Sequence, residues 1–110
     1  MYVILTSKPG QFRTEVVAHL RPVEAYDYLF YGRLRARFLI AELTGDTRIR
    51  VIDETEPVTV NDMPSKFLER FQSIESARRE LQHLCPAGDM ESALVPRDAA
   101  SFHLPTPAAA

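Results

Sequence analysis

The chain has little cysteine and no tryptophan. Among its 110 residues, Cys85 is the single cysteine, so neither an internal disulfide nor a cluster of thiolate ligands can form. An iron–sulfur cluster is excluded for the same reason. This cysteine usage is typical of a reducing compartment, and we expect a cytoplasmic protein.

The sequence also lacks an excess of charge of one sign and any long apolar run. Lys and Arg total 13 and Asp and Glu total 15, which gives a net charge of −2 and argues against general nucleic-acid binding. No segment approaches the roughly 20 apolar residues of a membrane-spanning helix. The N-terminal MYVILT is too short for a signal peptide and follows no basic residue. We therefore expect neither a nucleic-acid partner nor a membrane span.

Motifs for catalysis or metal binding are missing as well. His19, His83 and His103 are far apart, and a pair formed by His83 and Cys85 does not complete a zinc site. Cys85 follows the predicted C-terminus of a helix, where the dipole raises the pKa of a thiol and disfavours a nucleophilic role. We predict no metal, no cofactor and no catalytic residue, which favours a protein without enzymatic activity.

Length and composition indicate one domain. With 45% hydrophobic residues, the chain is long enough to bury a core without disulfides. We assign residues 1–97 to a single α+β domain. Residues 98–110 contain prolines and a terminal run of alanines, and we expect them to form a flexible tail.

The most regular pattern is found at residues 33–54, which read as two strands joined at Gly45-Asp46. A glycine in the first central position is typical of a type II′ hairpin turn. In that register one face is apolar and forms the core, with Leu34, Ala36, Phe38, Ile40, Ile49 and Val51. The opposite face carries five arginines: Arg33, Arg35, Arg37, Arg48 and Arg50. The apolar residues Leu39, Ala41, Leu43 and Ile52 lie between them on this face. Arg37 faces Glu54 and Arg35 faces Glu56.

Residues 22–31 fit either a helix or a strand. Pro22 suits a first helical turn, Glu24 favours the positive end of the dipole, and Gly32 is placed as a C′ residue. Against this, Tyr26, Tyr28 and Phe30 alternate in a segment of strand-like composition. The stop signals favour the helix.

The remaining elements are predicted as follows. Residues 1–6 form a buried strand, which ends at a type II turn with Pro9 and Gly10 in its centre. Residues 12–17 form a second strand or part of a loop. Residues 64–84 are helical, with Ser73 as an N-cap, and 90–95 form a last strand. The order is that of a ferredoxin-like βαββαβ fold, an antiparallel sheet with its helices on one face. The alternative is a mostly-β meander or small barrel with a C-terminal helix.

A sheet with helices on one face leaves its arginine face uncovered. We therefore expect a small non-catalytic binding or accessory protein, which docks a protein partner or its own copy through Arg33, Arg35, Arg37, Arg48 and Arg50. The alternative is a dimeric α+β-barrel enzyme or ligand-binding protein for an aromatic or carboxylate metabolite. In that case the arginines hold the anion, and a pocket is formed by His19, Tyr28 and Tyr31.

Overall fold

The structure is a computed structural model that describes residues 1–55, 59–85 and 92–103. Within these ranges the strands are β1 Tyr2–Ser7, β2 Phe12–Glu15, β3 Leu20–Phe30, β4 Arg33–Leu43, β5 Arg48–Asp53, β6 Thr59–Pro64 and β7 Ser92–Arg97. One α-helix, α1, covers Ile74–Leu84. Two short 3₁₀ helices cover Ser65–Phe67 and Ala99–His103.

The strands form two antiparallel sheets. The four-stranded sheet has the order β1-β4-β3-β7, and the three-stranded sheet has the order β2-β5-β6. The prediction of a ferredoxin-like βαββαβ fold is therefore wrong, because the described chain has two sheets and one α-helix. The mostly-β alternative with a helix in the C-terminal half fits the structure.

The helix predicted for residues 22–31 is wrong, because residues 22–30 lie in β3 and Tyr31 lies in the turn that follows. Tyr31 and Gly32 both have positive φ, 50° and 73°, as in the two-residue turns that join antiparallel strands. They connect β3 to β4, and Phe30 lies opposite Arg33 across the turn. Gly32 therefore serves a hairpin and not a helix C-terminus. Pairing with β4 on one side and β7 on the other outweighs the local helix signals.

The predicted hairpin between β4 and β5 is also wrong. Both segments are strands, but β4 lies between β1 and β3, whereas β5 lies between β2 and β6. Gly45 does not have the positive φ that a type II′ turn requires. The link 44–47 instead passes from one sheet to the other. It is held by hydrogen bonds from the Thr44 N–H to the His19 carbonyl, 2.9 Å, and from the Thr47 N–H to the Ser65 hydroxyl, 3.1 Å.

Strand β4 is buried on both faces. On one face, Leu39 and Ala41 are fully buried against the three-stranded sheet and Phe102, in a cluster that includes Val3 and Ile49. On the other face, Ala36, Phe38 and Ile40 pack against α1 and the residue that follows it. The helical segment contributes Ala77, Leu81 and Cys85 to this cluster. The prediction that one face of this strand is left uncovered is wrong for Leu39, Ala41 and Leu43, because the second sheet covers them.

Several local predictions are confirmed. Residues 2–7 form a strand, and the Lys8–Gln11 turn has Gly10 at φ 77° with the Gln11 N–H donating to the Lys8 carbonyl at 3.0 Å. Ser73 caps α1, because its hydroxyl accepts from the Ser76 N–H at 3.1 Å. The α-helix is shorter than predicted, because residues 65–67 form a 3₁₀ helix and α1 begins only at Ile74. No helix in the described parts of the chain is long and apolar enough to cross a membrane.

The first part of the C-terminal region is ordered as a short helix that contributes a side chain to the core. Ala99–His103 form a 3₁₀ helix, and Phe102 is only 6% exposed among the core residues. This segment belongs to the range 98–110 for which a tail is predicted. Residues 104–110 lie outside the described residues, so the flexibility predicted for them stays a prediction.

Candidate functional site

A cleft opens where the C-terminal end of α1 lies over the four-stranded sheet. Its volume is about 520 Å³, which lies within the ~300–1,000 Å³ typical of small-molecule sites. The side chains around it come from β1, the following turn, β3, β4 and the end of α1: Thr6, Lys8, Gln11, Tyr28, Arg35, Ala36, Phe38, Leu84 and Cys85. We call this the helix–sheet cleft.

A β-bulge places Arg35 in the cleft. Tyr28 pairs with Ala36 and the next residue, Leu29, pairs with Leu34, so Arg35 is an extra residue in β4. In a regular strand, successive side chains point to opposite faces. A bulge redirects one of them, which explains how Arg35 and Ala36 line the same cleft. The guanidinium carbon of Arg35 also lies 5.4 Å from the ring centroid of Phe30, a cation–π distance that orients the side chain.

The turn between β1 and β2 brings a second cation to the cleft. Lys8 follows the last residue of β1, and its backbone N–H donates to the Phe12 carbonyl at 2.8 Å. This hydrogen bond fixes the position of the Lys8 backbone, from which the side chain extends. Burial raises the pKa of the Cys85 thiol, and the positive charge of Lys8 opposes this shift in part. The thiol therefore stays protonated at neutral pH and is not a nucleophile.

The charged side chains of the described residues that line the cleft are both cationic. Lys8 and Arg35 line it, and no carboxylate is among the described residues around it. Neither cation has an Asp or Glu oxygen of the described chain within 4.0 Å. Tyr28, Thr6 and Gln11 add hydrogen-bonding groups. Phe38, Ala36 and Leu84 provide apolar surface, so the cleft combines a few polar groups with an apolar wall.

An ion pair anchors the helix that forms one wall of the cleft. The Arg78 guanidinium of α1 donates to the Glu24 carboxylate of β3, with Nε 3.0 Å from Oε2, and the Tyr26 hydroxyl donates to the same carboxylate. The hydrogen bond from Arg78 lowers the pKa of Glu24. Burial, together with the hydrogen bond to Glu24, raises the pKa of Tyr26. These contacts tie α1 to the sheet in addition to the packing of Ala77 and Leu81.

This anchor predicts a pH dependence of stability. Because the pKa of Glu24 is lower in the folded state than its ordinary value of 4.5, the ionised carboxylate stabilises the fold above that value, and the benefit is lost as pH falls through the lowered pKa. We expect wild type to have a higher Tm than Glu24→Gln at pH 7 and a smaller advantage at pH 3. Thermal unfolding followed by circular dichroism measures both, with the exposed Glu69→Gln as the control. A difference that does not change with pH would contradict the assignment.

The five arginines predicted to share one face lie on two sheets. Arg33 and Arg35 are exposed at the hairpin end of β4, whereas Arg48 and Arg50 are on β5 in the other sheet. Arg50 pairs with Asp62, at 3.3 Å from Nε to Oδ1. The single arginine face is therefore a wrong prediction, since it depended on the hairpin register.

Arg37 has a different environment from the other four. Its partner is not Glu54 as predicted but the buried Asp27 on β3, with Nε 3.3 Å from Oδ1. Arg97 of β7 binds the other oxygen of Asp27 at 3.1 Å, so one carboxylate lies between two guanidinium groups. The predicted partner of Arg35, Glu56, lies outside the described residues.

The predicted pocket of His19, Tyr28 and Tyr31 is not brought together. Tyr28 lines the helix–sheet cleft. Tyr31 is 66% exposed in the β3–β4 turn, where its ring meets Phe30 edge-on at 4.6 Å. His19 is exposed before β3 at φ 68°, and its ring lies over Gly45. Only Tyr28 and Arg35 among the predicted site residues line the cleft.

Sequence reasoning missed Lys8, Gln11 and Asp27. The Lys8–Gln11 segment was recognisable as a turn, but nothing local indicates that it meets Arg35 and the end of α1. Asp27 was missed because the helix predicted for residues 22–31 does not place its carboxylate on a buried strand face. Strand alternation in that segment was the signal that places Asp27 on the face of Ala25, which is buried.

Neither a metal site nor a similar protein indicates a function for this chain. Within residues 1–55, 59–85 and 92–103, no group of three or more His, Cys, Asp or Glu side chains is arranged to hold a metal ion. Comparisons with protein-family models, with curated proteins and with solved structures found no match. The geometry of the cleft is therefore the basis of the functional proposal.

Proposed function

We propose that the protein binds a small metabolite with an aromatic body and a carboxylate group in the helix–sheet cleft. The observation that carries this proposal is the meeting of Lys8 and Arg35 beside Tyr28 and Phe38, with no lining carboxylate in the described chain. The two cations select an anion, and the aromatic and apolar wall selects a flat, apolar body.

Each part of such a ligand has a partner in the cleft. A guanidinium group forms two parallel hydrogen bonds to a carboxylate, and the stacking of Arg35 on Phe30 reduces the rotamer entropy lost on binding. Lys8 adds a second positive charge. The apolar body packs against Phe38 and Leu84, and the Tyr28 hydroxyl hydrogen-bonds a polar substituent.

The proposal is one of binding and not of catalysis. Among the described residues that line the cleft there is no histidine and no carboxylate, which are the usual general bases at neutral pH. The raised pKa of Cys85 keeps that thiol protonated. The five arginines of the predicted docking face are divided between two sheets, so their arrangement gives that alternative less support than the cleft gives to ligand binding.

Reversing the charge of Arg35 tests the proposal. We expect 2-naphthoate to bind the wild type and Arg35→Glu to weaken this binding at least tenfold, because a hydrogen bond to a charged group contributes about 1.5–3 kcal/mol. Isothermal titration calorimetry or ligand-observed NMR measures the affinity. Lys8→Glu should act in the same direction.

Two controls sharpen this experiment. Arg48→Glu reverses an exposed arginine on the other sheet and should leave the affinity unchanged. The neutral 2-naphthamide should bind the wild type more weakly than 2-naphthoate. Equal affinity of Arg35→Glu and wild type, or equal binding of the acid and the amide, would contradict the proposal.

A further inference from the structure

Strand β4 has an edge segment without a neighbouring strand on one side. Strand β1 pairs with β4 only from Arg37 to Glu42, whereas β3 pairs with β4 as far as Arg33. In the described part of the chain, residues 33–36 of β4 therefore have β3 on one side and no strand on the other. We call residues 33–36 the open edge.

Hairpin geometry determines which backbone groups the open edge presents. Phe30 and Arg33 flank the two-residue turn, so the backbone groups of Arg33 face β3. Backbone N–H and C=O groups of an antiparallel strand point to alternate sides, which directs those of Leu34 away from β3. The open edge thus offers a donor and an acceptor to an added strand.

The charge around the open edge is positive. Arg33 and Arg35 are exposed on it, and Lys8 lies just beyond the end of β1. No carboxylate of the described residues lies within 4.0 Å of any of the three. A second copy of this chain would bring arginines against arginines, which is unfavourable when like charges face each other across strands. An acidic strand is complementary.

We infer that the open edge receives an extended acidic segment of a partner protein, which continues the line of β1 and pairs with residues 33–36 of β4. This is strand addition to a sheet edge, in which backbone hydrogen bonds contribute affinity and side chains contribute specificity. Arg33 and Arg35 select Asp or Glu at alternate positions of the segment. The inference goes beyond the proposed small-molecule function and does not rest on it, although Arg35 borders both sites.

The probe is an octapeptide of alternating valine and glutamate, added to the ¹⁵N-labelled full chain. We expect its backbone to shift the amide signals of residues 33–36 most strongly, with saturation below ~1 mM, an affinity that a few edge hydrogen bonds support. The matched valine–lysine octapeptide should cause no such shifts. Equal shifts with both peptides, or no shifts at residues 33–36 at 1 mM, would overturn the inference. The arginines would then serve only to prevent other strands from pairing with this edge.

Two variants separate strand addition from simple charge attraction. Leu34→Pro removes the outward N–H and should abolish peptide binding, with the dispersion of the spectrum as the check on folding. N-methylation of alternate peptide residues makes the same comparison on unaltered protein and should weaken binding at least tenfold. Undiminished binding in both cases would exclude strand addition.

Arg33→Glu distinguishes this site from the cleft. Arg33 does not line the cleft, so this variant should weaken peptide binding at least tenfold and leave 2-naphthoate binding unchanged. Binding of 2-naphthoate without peptide binding would remove the inference and keep the proposed function. Peptide binding without 2-naphthoate binding would do the reverse.

Discussion

Replacing Leu39 by alanine is expected to lower the free energy of unfolding by about 2–5 kcal/mol, the range for a buried leucine. Leu39 has 0% exposure and packs between the two sheets. The alanine leaves a cavity, because neighbours from two sheets cannot collapse freely into the space. In the β4–β5 hairpin register, the same side chain lies on a solvated face, where substitutions change stability by only about 0.5 kcal/mol. The measured loss therefore decides between the two arrangements.

Urea unfolding followed by circular dichroism measures the change. Leu84→Ala is the matched control: Leu84 is 56% exposed, and its truncation should cost less than about 1 kcal/mol, since it removes little buried area. The slope of the unfolding free energy against urea should be similar in all three proteins. A Leu39→Ala midpoint equal to that of Leu84→Ala would contradict the packing of the three-stranded sheet on β4.

The second large effect is expected at Asp27. Asp27→Ala should destabilise the fold by about 3–5 kcal/mol, the range for breaking a buried ion pair by removing one partner. The carboxylate lies 3.3 Å from Arg37 and 3.1 Å from Arg97, and the side chains of Asp27 and Arg37 are each 11% exposed. Without the carboxylate, the charge of Arg37 stays in an environment of low dielectric. Arg97, at 44% side-chain exposure, can turn towards water.

The exposed pair of Arg50 and Asp62 provides the comparison. Their side chains are 50% and 42% exposed, and Asp62→Ala should cost at most about 1 kcal/mol. The double variant Asp27→Leu with Arg37→Met should be more stable than Asp27→Ala, because apolar groups of similar volume avoid the desolvation of an ion pair. Urea midpoints of these variants test both points. An Asp27→Ala cost near that of Asp62→Ala would show that the buried pair contributes no more than a surface one.

The bulge in β4 connects the architecture to both proposed sites. It gives β4 one more residue than β3 between the Tyr28–Ala36 and Leu29–Leu34 pairs, and this extra residue is Arg35. The side chain of Arg35 thereby lines the helix–sheet cleft, while the backbone next to it forms the open edge. Bulges are common beside functional sites because they redirect side chains in this way.

The cleft was only partly predictable from the sequence. The sequence predicts Tyr28 as a pocket residue and Arg35 as a partner- or anion-binding residue, and both line the cleft. Lys8 and Cys85 join them from the turn after β1 and from the residue that follows α1, and no spacing in the sequence relates these positions to Tyr28 and Arg35. His19 and Tyr31 were expected with Tyr28, but they lie in turns whose positions depend on how the strands pair.

The sequence by itself determined the features that depend on neighbouring residues. These include the strand at residues 2–7, the Pro9-Gly10 turn and the Ser73 cap of α1, because each relies on local backbone preference or on a side chain three residues away. The strand character of β4 and β5 was equally readable from alternation.

Only the tertiary structure decided which strands pair and what covers them. Arg33 to Leu43 alternates like a half-buried strand, yet Leu39 and Ala41 are as buried as Phe38 and Ile40, because the second sheet covers the face on which Leu39 and Ala41 lie. Strand β4 pairs with β1 and β3, and it does not pair with β5, the strand that follows it in the sequence. Such pairing is chosen by the burial of distant residues and not by the turn between two strands. The local pattern of residues 33–54 therefore predicts a hairpin that the packing of the whole chain does not form.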